Sequence, residues 1–144
     1  MIGFRAAVFR WWRRLVPQAS LGRRGEAAAA RFLRRRGYKI VARSDHLPPG
    51  ELDLVAVARD RTIVFVEVKT RTSQDSGHPS EAVDDDKQRR LSRLAVTYLK
   101  RHGLLEYPAR FDVIAITWPE DGRRPQIEHF KNAFEAVGRD GLYS

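Results

Sequence analysis

Residues 50–69 read GELDLVAVARDRTIVFVEVK, and this stretch decides the fold. Leu52 to Ala58 and Thr62 to Lys69 are two runs of β-formers joined only by Arg59, Asp60 and Arg61. So short a link joins antiparallel neighbours, and the pair is expected to form a hairpin. Ile63, Val64, Phe65 and Val66 are apolar on both faces, which puts the second strand in the interior of its sheet. Alternation sorts the side chains: Glu51, Asp53, Val55 and Val57 share one face of the first strand, and Ile63, Phe65, Glu67 and Lys69 one face of the second. Paired, the strands bring Asp53 close to Glu67 and Lys69. A lone Glu-Val-Lys is usually an exposed pair worth little. Inside a central strand, however, an uncompensated carboxylate is costly, and aspartate is a poor strand former. Two such anomalies on adjacent strands point to one site.

Working outward, Ser20 is a candidate N-cap, Ala27 to Ala30 favour helix, and Gly37 is a stop signal. One face of this first helix carries Gly22, Glu26, Ala29, Ala30 and Leu33, while Arg23, Arg24, Arg31, Arg34, Arg35 and Arg36 largely fill the rest. Its single acid, Glu26, is expected to face inward and close over the Asp53–Glu67 pair. Tyr38 to Ala42 reads as a first strand, and Ser44 to Gly50 as a proline-containing turn. Beyond the hairpin come a polar loop, Thr70 to Pro79, and a second helix from about Ala82 to His102, ending at Gly103. Leu91, Leu94, Ala95, Tyr98 and Leu99 give that helix its apolar face. Phe111 to Thr117 is a further strand, Asp121-Gly122 a turn, Gln126 to Phe130 a short strand, and Asn132 to Phe134 a closing turn. The order α, β, β, β, α, β, β describes one α/β (α+β) domain, a mixed β-sheet flanked by helices. It is expected over residues 20–135, between an extension at 1–19 and a tail at 136–144.

The chain of 144 residues suits a single domain with a sizeable core. Without cysteine it has no disulfides, zinc–thiolate centre, iron–sulfur cluster or cysteine nucleophile. No run approaches the ~20 apolar residues of a membrane span, and a cytoplasmic location is expected. The net charge of +9 is unevenly placed: residues 1–43 carry +11, with Glu26 their only acid, and the remainder −2. Such asymmetry suits an N-terminal surface that meets a polyanion. Residues 1–19, with Phe4, Val8, Trp11, Trp12 and Leu15 among arginines, form a basic amphipathic segment. Contact with a membrane surface, with nucleic acid or with its own domain are equally open readings of that segment.

Glu26, Asp53, Glu67 and Lys69 are the candidate catalytic residues. Hard oxygen donors without soft ones select Mg²⁺, or Mn²⁺, with Asp53 and Glu67 as ligands. The Lys69 ammonium can offset carboxylate repulsion, orient a water or stabilise charge on a phosphoryl oxygen. Metal, activated water and lysine together suit phosphodiester hydrolysis. Arg23 and Arg24 on the basic helix, Arg71 just past the triplet and Lys87 on the inward face of the second helix are candidate phosphate contacts. The arginine-rich face of the first helix has phosphate-neutralising capacity but no evident base-reading code, so shape or branch recognition is expected rather than sequence specificity. The four histidines lack metal-ligand spacing. No nucleophile elbow, Walker loop or dinucleotide fingerprint is present. Asp112 is expected to pair with a neighbouring basic residue.

Gly50-Glu51-Leu52-Asp53 followed by Glu67-Val68-Lys69 resembles the PD-(D/E)xK nuclease core. The wider set is similar to the YraN-like family of uncharacterised bacterial proteins: Gly22-Arg23-Arg24-Gly25-Glu26, Phe65 to Arg71, Lys87, Arg110-Phe111-Asp112 and Asn132-Ala133-Phe134. The resemblance covers about residues 20–135. It implies a restriction-endonuclease-like fold akin to Holliday-junction resolvases, with Asp53, Glu67 and the Val68 carbonyl on Mg²⁺. It further implies Lys69 beside the nucleophilic water and Glu26 as the acid of the first helix. Leu52 stands where the motif's proline is expected. The activity implied is a DNA endonuclease acting on branched or single-stranded substrates, with a homodimer as the form resolvase-like proteins often take. The alternatives are a catalytically silent nucleic-acid-binding module of the same fold and a membrane-surface adaptor.

Overall fold

A computed structural model describes residues 18–47, 50–72, 83–122 and 124–136. Its elements are α1 (Gln18–Arg35), β1 (Lys39–Leu47), β2 (Gly50–Val57), β3 (Ile63–Thr72), α2 (Asp85–Arg101), β4 (Ala109–Trp118) and β5 (Gln126–Phe134). The five strands lie in one sheet in chain order. Every pairing is antiparallel except β3 with β4, which is parallel and bridged by α2. The expected order, the antiparallel hairpin and the central place of Ile63–Val66 are all present. The basic segment with Trp11 and Trp12 and the tail beyond residue 136 lie outside the described residues.

Each helix covers one face. The α2 layer joins Leu91, Leu94, Tyr98 and Leu99 to Ile63, Phe65, Phe111 and Val113. On the other face Ala28, Ala29, Ala30 and Leu33 of α1 meet Val64, Val66, Ile114 and Ile116. Both helices stop where glycine signals an end. Gly37 (φ +90) and Gly103 (φ +66) take left-handed backbone. The next amides, of Tyr38 and Leu104, reach back to the Leu33 and Leu99 carbonyls at 3.1 and 2.8 Å, satisfying groups a helix end would otherwise orphan.

Several boundaries differ from the sequence expectation. The first helix begins at Gln18, so Ser20 lies within it and is not its N-cap. The second begins at Asp85, capped by Asp84, whose side chain accepts the Lys87 amide at 2.9 Å. The first strand continues to Leu47 through the stretch read as a turn, because Ser44 enters left-handed space (φ 47) without leaving the sheet. The closing turn at Asn132 is likewise an irregularity inside β5: Asn132 has φ 51, and the pairing with β4 shifts register there.

The buried face of α1 is also rotated from the one expected. Nothing lies within 4 Å of where a Gly22 side chain would begin, whereas a Cβ on Gly25 would come within 2.0 Å of Thr70 Oγ1. Gly25 thus lets α1 rest directly on β3, and Glu26 sits half-buried at the margin of the contact. Alanine would add ~0.5–1 kcal/mol of helix preference at position 25. The overlap with a β-branched side chain, stiff about χ1, outweighs that gain. Gly25→Ala is expected to lose about 1–3 kcal/mol in urea unfolding. In a Thr70→Ala background, which removes a buried hydroxyl without a hydrogen-bond partner among the described residues, the loss should shrink markedly. Equal losses in both backgrounds would refute the contact.

Candidate active site

The site forms where the pleat of β2 breaks. Gly50 packs toward Leu94, and Leu52 belongs with Val55 to the α2 layer, whereas Leu54 and Ala56 belong to the α1 layer. Regular alternation cannot put Leu52 and Val55 on one face, so the irregularity falls at Asp53. The ladder with β3 ends at Leu54↔Val66. Two residues past Val66, the Val68 amide donates to Asp53 Oδ2 at 2.9 Å. A strand residue's N–H and C=O point to the same side, so the Val68 carbonyl lies on the Asp53 side too. Ser44 stands across β1 from Asp53, between the pairs Arg43↔Leu54 and Asp45↔Leu52, and its hydroxyl donates to the Glu26 carboxylate.

Glu67 extends from β3 on the α2 face and is 7% exposed. Lys87, in the first turn of α2, pairs with Glu67 Oε1, and Lys69 Nζ lies 3.7 Å from the same oxygen. The structure therefore joins Asp53, Glu67, Lys69 and Lys87. Burial, followed by the negative charge of Glu67, pushes the Asp53 carboxyl from 3.8 up to about 8; the Val68 amide opposes the rise and Glu26 adds to it from farther off. Burial and the neighbouring Lys87 push Lys69 down toward the free amine. Burial works against the Lys87 charge as well, but the Glu67 carboxylate outweighs it and holds Lys87 above its usual range. The two lysines are thus driven apart: one keeps its proton and the other gives it up more readily.

The remaining candidates fall around this cluster. Glu26 acts on Asp53 through charge, but its own carboxylate is engaged by Ser44. Arg71 lies beyond Lys69 on the same face, its Nε bonded to Thr117 Oγ1 at 3.1 Å. Arg24 stacks on the Trp118 ring, 4.5 Å from its centre, at the same end of the sheet but on the α1 face. Arg23 is exposed. Among the described residues no three of His, Asp and Glu converge as a metal cluster; the carboxylates in contact are two, with Glu26 outside the pair.

Two features escaped the sequence. Ser44 gave no signal beyond its place in a supposed turn. The other is a buried network on the α1 face. Asp112, fully buried, accepts Arg110 Nε at 3.0 Å and Nη2 at 3.3 Å, the Asn132 amide at 2.9 Å and His129 Nε2 at 2.7 Å. Burial would raise the Asp112 carboxyl, but these donors, His129 first, hold it below its ordinary value. The expectation of a basic partner for Asp112 was thus half of the arrangement. Its distant members, His129 and Asn132, carry no local pattern.

The profile of the uncharacterised protein family UPF0102 matches residues 25–116. A UPF0102 protein of Rhodopirellula baltica, RB9115, is 52% identical over 127 residues, covering 87% of this chain and 76% of that one. A UPF0102 protein of Geobacter metallireducens is 52% identical over 117 residues, covering 81% and 93%. Among solved structures, a repair endonuclease from Pyrococcus abyssi is similar with a TM-score of 0.41 and 22% identity, over 67% of this chain and 38% of that one. No described helix is long and apolar enough to cross a membrane.

The raised Asp53 carboxyl has a measurable sign. The folded protein keeps on Asp53 a proton that the unfolded chain releases above about pH 4. Its contribution is therefore complete below the unfolded value of 3.8 and is lost as the pH rises toward about 8. Urea unfolding in chelator should show wild type losing stability between about pH 5 and pH 8, and Asp53→Asn losing markedly less. Identical pH dependence in the two proteins would contradict the buried acid pair.

Proposed function

The chain belongs to the uncharacterised protein family UPF0102, the family its motifs resemble, and from its acid–lysine cluster we propose that it is a Mg²⁺-dependent phosphodiester hydrolase acting on DNA. The observation that carries this reading is the contact of Asp53 with Glu67 in a largely buried place, flanked by Lys69 and Lys87. Two carboxylates so placed repel each other, and Asp53 is pushed toward its neutral form. A divalent cation between them would remove that repulsion. Asp53, Glu67 and the Val68 carbonyl offer it three hard oxygen donors, a set that fits Mg²⁺ or Mn²⁺ with water and phosphate completing the shell.

When bound, such an ion polarises a phosphoryl oxygen and acidifies water. The chain's own groups divide the remaining work. Lys69, pushed toward the free amine by burial and by Lys87, is suited to take a proton from the attacking water. Lys87 stays charged and fixes the Glu67 carboxylate from the start of α2. Glu26 adds negative charge beside Asp53 and holds Ser44 across the strand from it. Arg71 on the site face, and Arg23 and Arg24 at the same end of α1, suit flanking phosphates. A branched or single-stranded substrate agrees with a surface whose cations are placed to meet phosphate.

One observation favours a second reading. The Lys87 ammonium already sits against Glu67, so part of the acid pair is compensated without a metal. A protein that binds nucleic acid without cutting would keep that arrangement permanently.

Cleavage of duplex, single-stranded, flapped and four-way-junction DNA in Mg²⁺ or Mn²⁺ decides between them. Wild type is expected to cut at least one of these, with Asp53→Asn and Lys69→Ala reduced by roughly 10²-fold or more. Binding without cutting by wild type would favour the silent module. Cutting that survives both substitutions would remove the proposed active site altogether.

A further inference from the structure

A broad open groove lies on the α1 face at the other end of the sheet, lined by Arg36, Arg59, Arg110, His129 and Lys131. Four cationic side chains come from four separate elements: the end of α1, the β2–β3 loop, β4 and β5. Asp60 is the acid on the rim, and its carboxylate already accepts the Thr62 amide at 3.0 Å. The C-terminal end of a helix favours basic residues for its own dipole. That accounts for Arg34 and Arg35 in the last turn of α1, but not for Arg59, Arg110 or Lys131.

The three arginines are placed rather than dangling. Arg110 is gripped by fully buried Asp112 and donates to Tyr38 Oη at 2.9 Å, while its side chain keeps 20% exposure. Arg59 lies against the α1 terminus at Gly37, where a Cβ would come within 2.2 Å of its Nε. The Arg36 guanidinium covers the Phe32 ring, 3.6 Å from its centre. Among the described residues Arg36, Arg59 and Lys131 have no ion pair. A buried carboxylate that takes four donors and presents one arginine to an open basic groove is a built arrangement for a fixed anion.

The groove is separate from the acid pair. Arg110 lies across from Val64 in the parallel ladder, and Ala115 across from Lys69. Five strand residues place the two regions roughly 17 Å apart along the sheet, and they occupy opposite faces. We propose that this groove is a second polyanion site, binding the phosphate backbone of a nucleic-acid strand outside the reacting segment. The choice of nucleic acid as the polyanion rests on the hydrolase reading; the anion site itself rests on the groove.

The test is fluorescence anisotropy of a short labelled duplex DNA in metal-free buffer across a salt series. Arg59→Ala with Lys131→Ala, both at exposed positions, is expected to weaken binding about tenfold and to make the slope of log K against log salt shallower by about two. Arg93→Ala, exposed on α2, should leave both values near wild type, and Lys131→Glu alone should weaken binding in the same direction as the double variant. Affinity and slope unchanged in the double variant would overturn the proposal. If wild type binds through these residues yet cuts nothing, the hydrolase reading fails and the groove stands. If wild type cuts in an Asp53-dependent way while the groove variants bind normally, the groove fails and the hydrolase reading stands.

Discussion

Two carboxylates held together where little water reaches them set the terms for the rest of this structure. Asp53 and Glu67 cannot both ionise cheaply in such surroundings, and each neighbouring element answers that cost in part. The ladder between β2 and β3 ends at Leu54 and Val66 although both strands run on, and the Val68 amide donates to the Asp53 carboxylate. The α2 helix begins with its first-turn lysine seated on Glu67. Lys69 follows on the same strand face, and its charge yields to that of Lys87. A site assembled only for stability would be better filled by apolar residues of the same volume, as most of the surrounding core is.

The division of labour between the two faces follows from the same sheet. The α2 face holds the acid pair and the lysines that answer it. The α1 face holds the opposite arrangement, the buried acid Asp112 surrounded by donors, with arginines and a lysine opening into solvent. Each face thus spends its buried carboxylates on fixing something else: on one, the charge state of two lysines; on the other, the direction of an arginine.

Much of this was legible in the sequence. The strand hairpin, the buried central strand and the meeting of Asp53 with Glu67 and Lys69 followed from period-two alternation and a three-residue link. The inward face of α2 followed from period 3.6, and with it the approach of Lys87. The misreadings share a cause. Ser44 and Asn132 look like turn residues because they accept left-handed backbone, and they do adopt it, but inside strands whose pairing continues past them. Local preference reports a residue's dihedral angles, not whether neighbouring strands absorb the irregularity. The buried face of α1 was displaced for a related reason: with two glycines and a run of alanines on one helix, only contact with Thr70 distinguishes Gly25 from Gly22. The Asp112 network joins β4 to β5 across 17 and 20 residues, farther than any local pattern reaches.

Those two left-handed residues also bear on how copies of this chain can meet. β1 and β5 are the edges of the sheet, and an unpaired edge is a template on which another strand can align and aggregation can start. Ser44 interrupts the first edge and Asn132 the second, so neither offers a long, flat row of free amides and carbonyls. A second copy joining edge to edge would inherit a broken register from the outset. Edge-to-edge pairing of strands is thereby disfavoured at β1 and at β5.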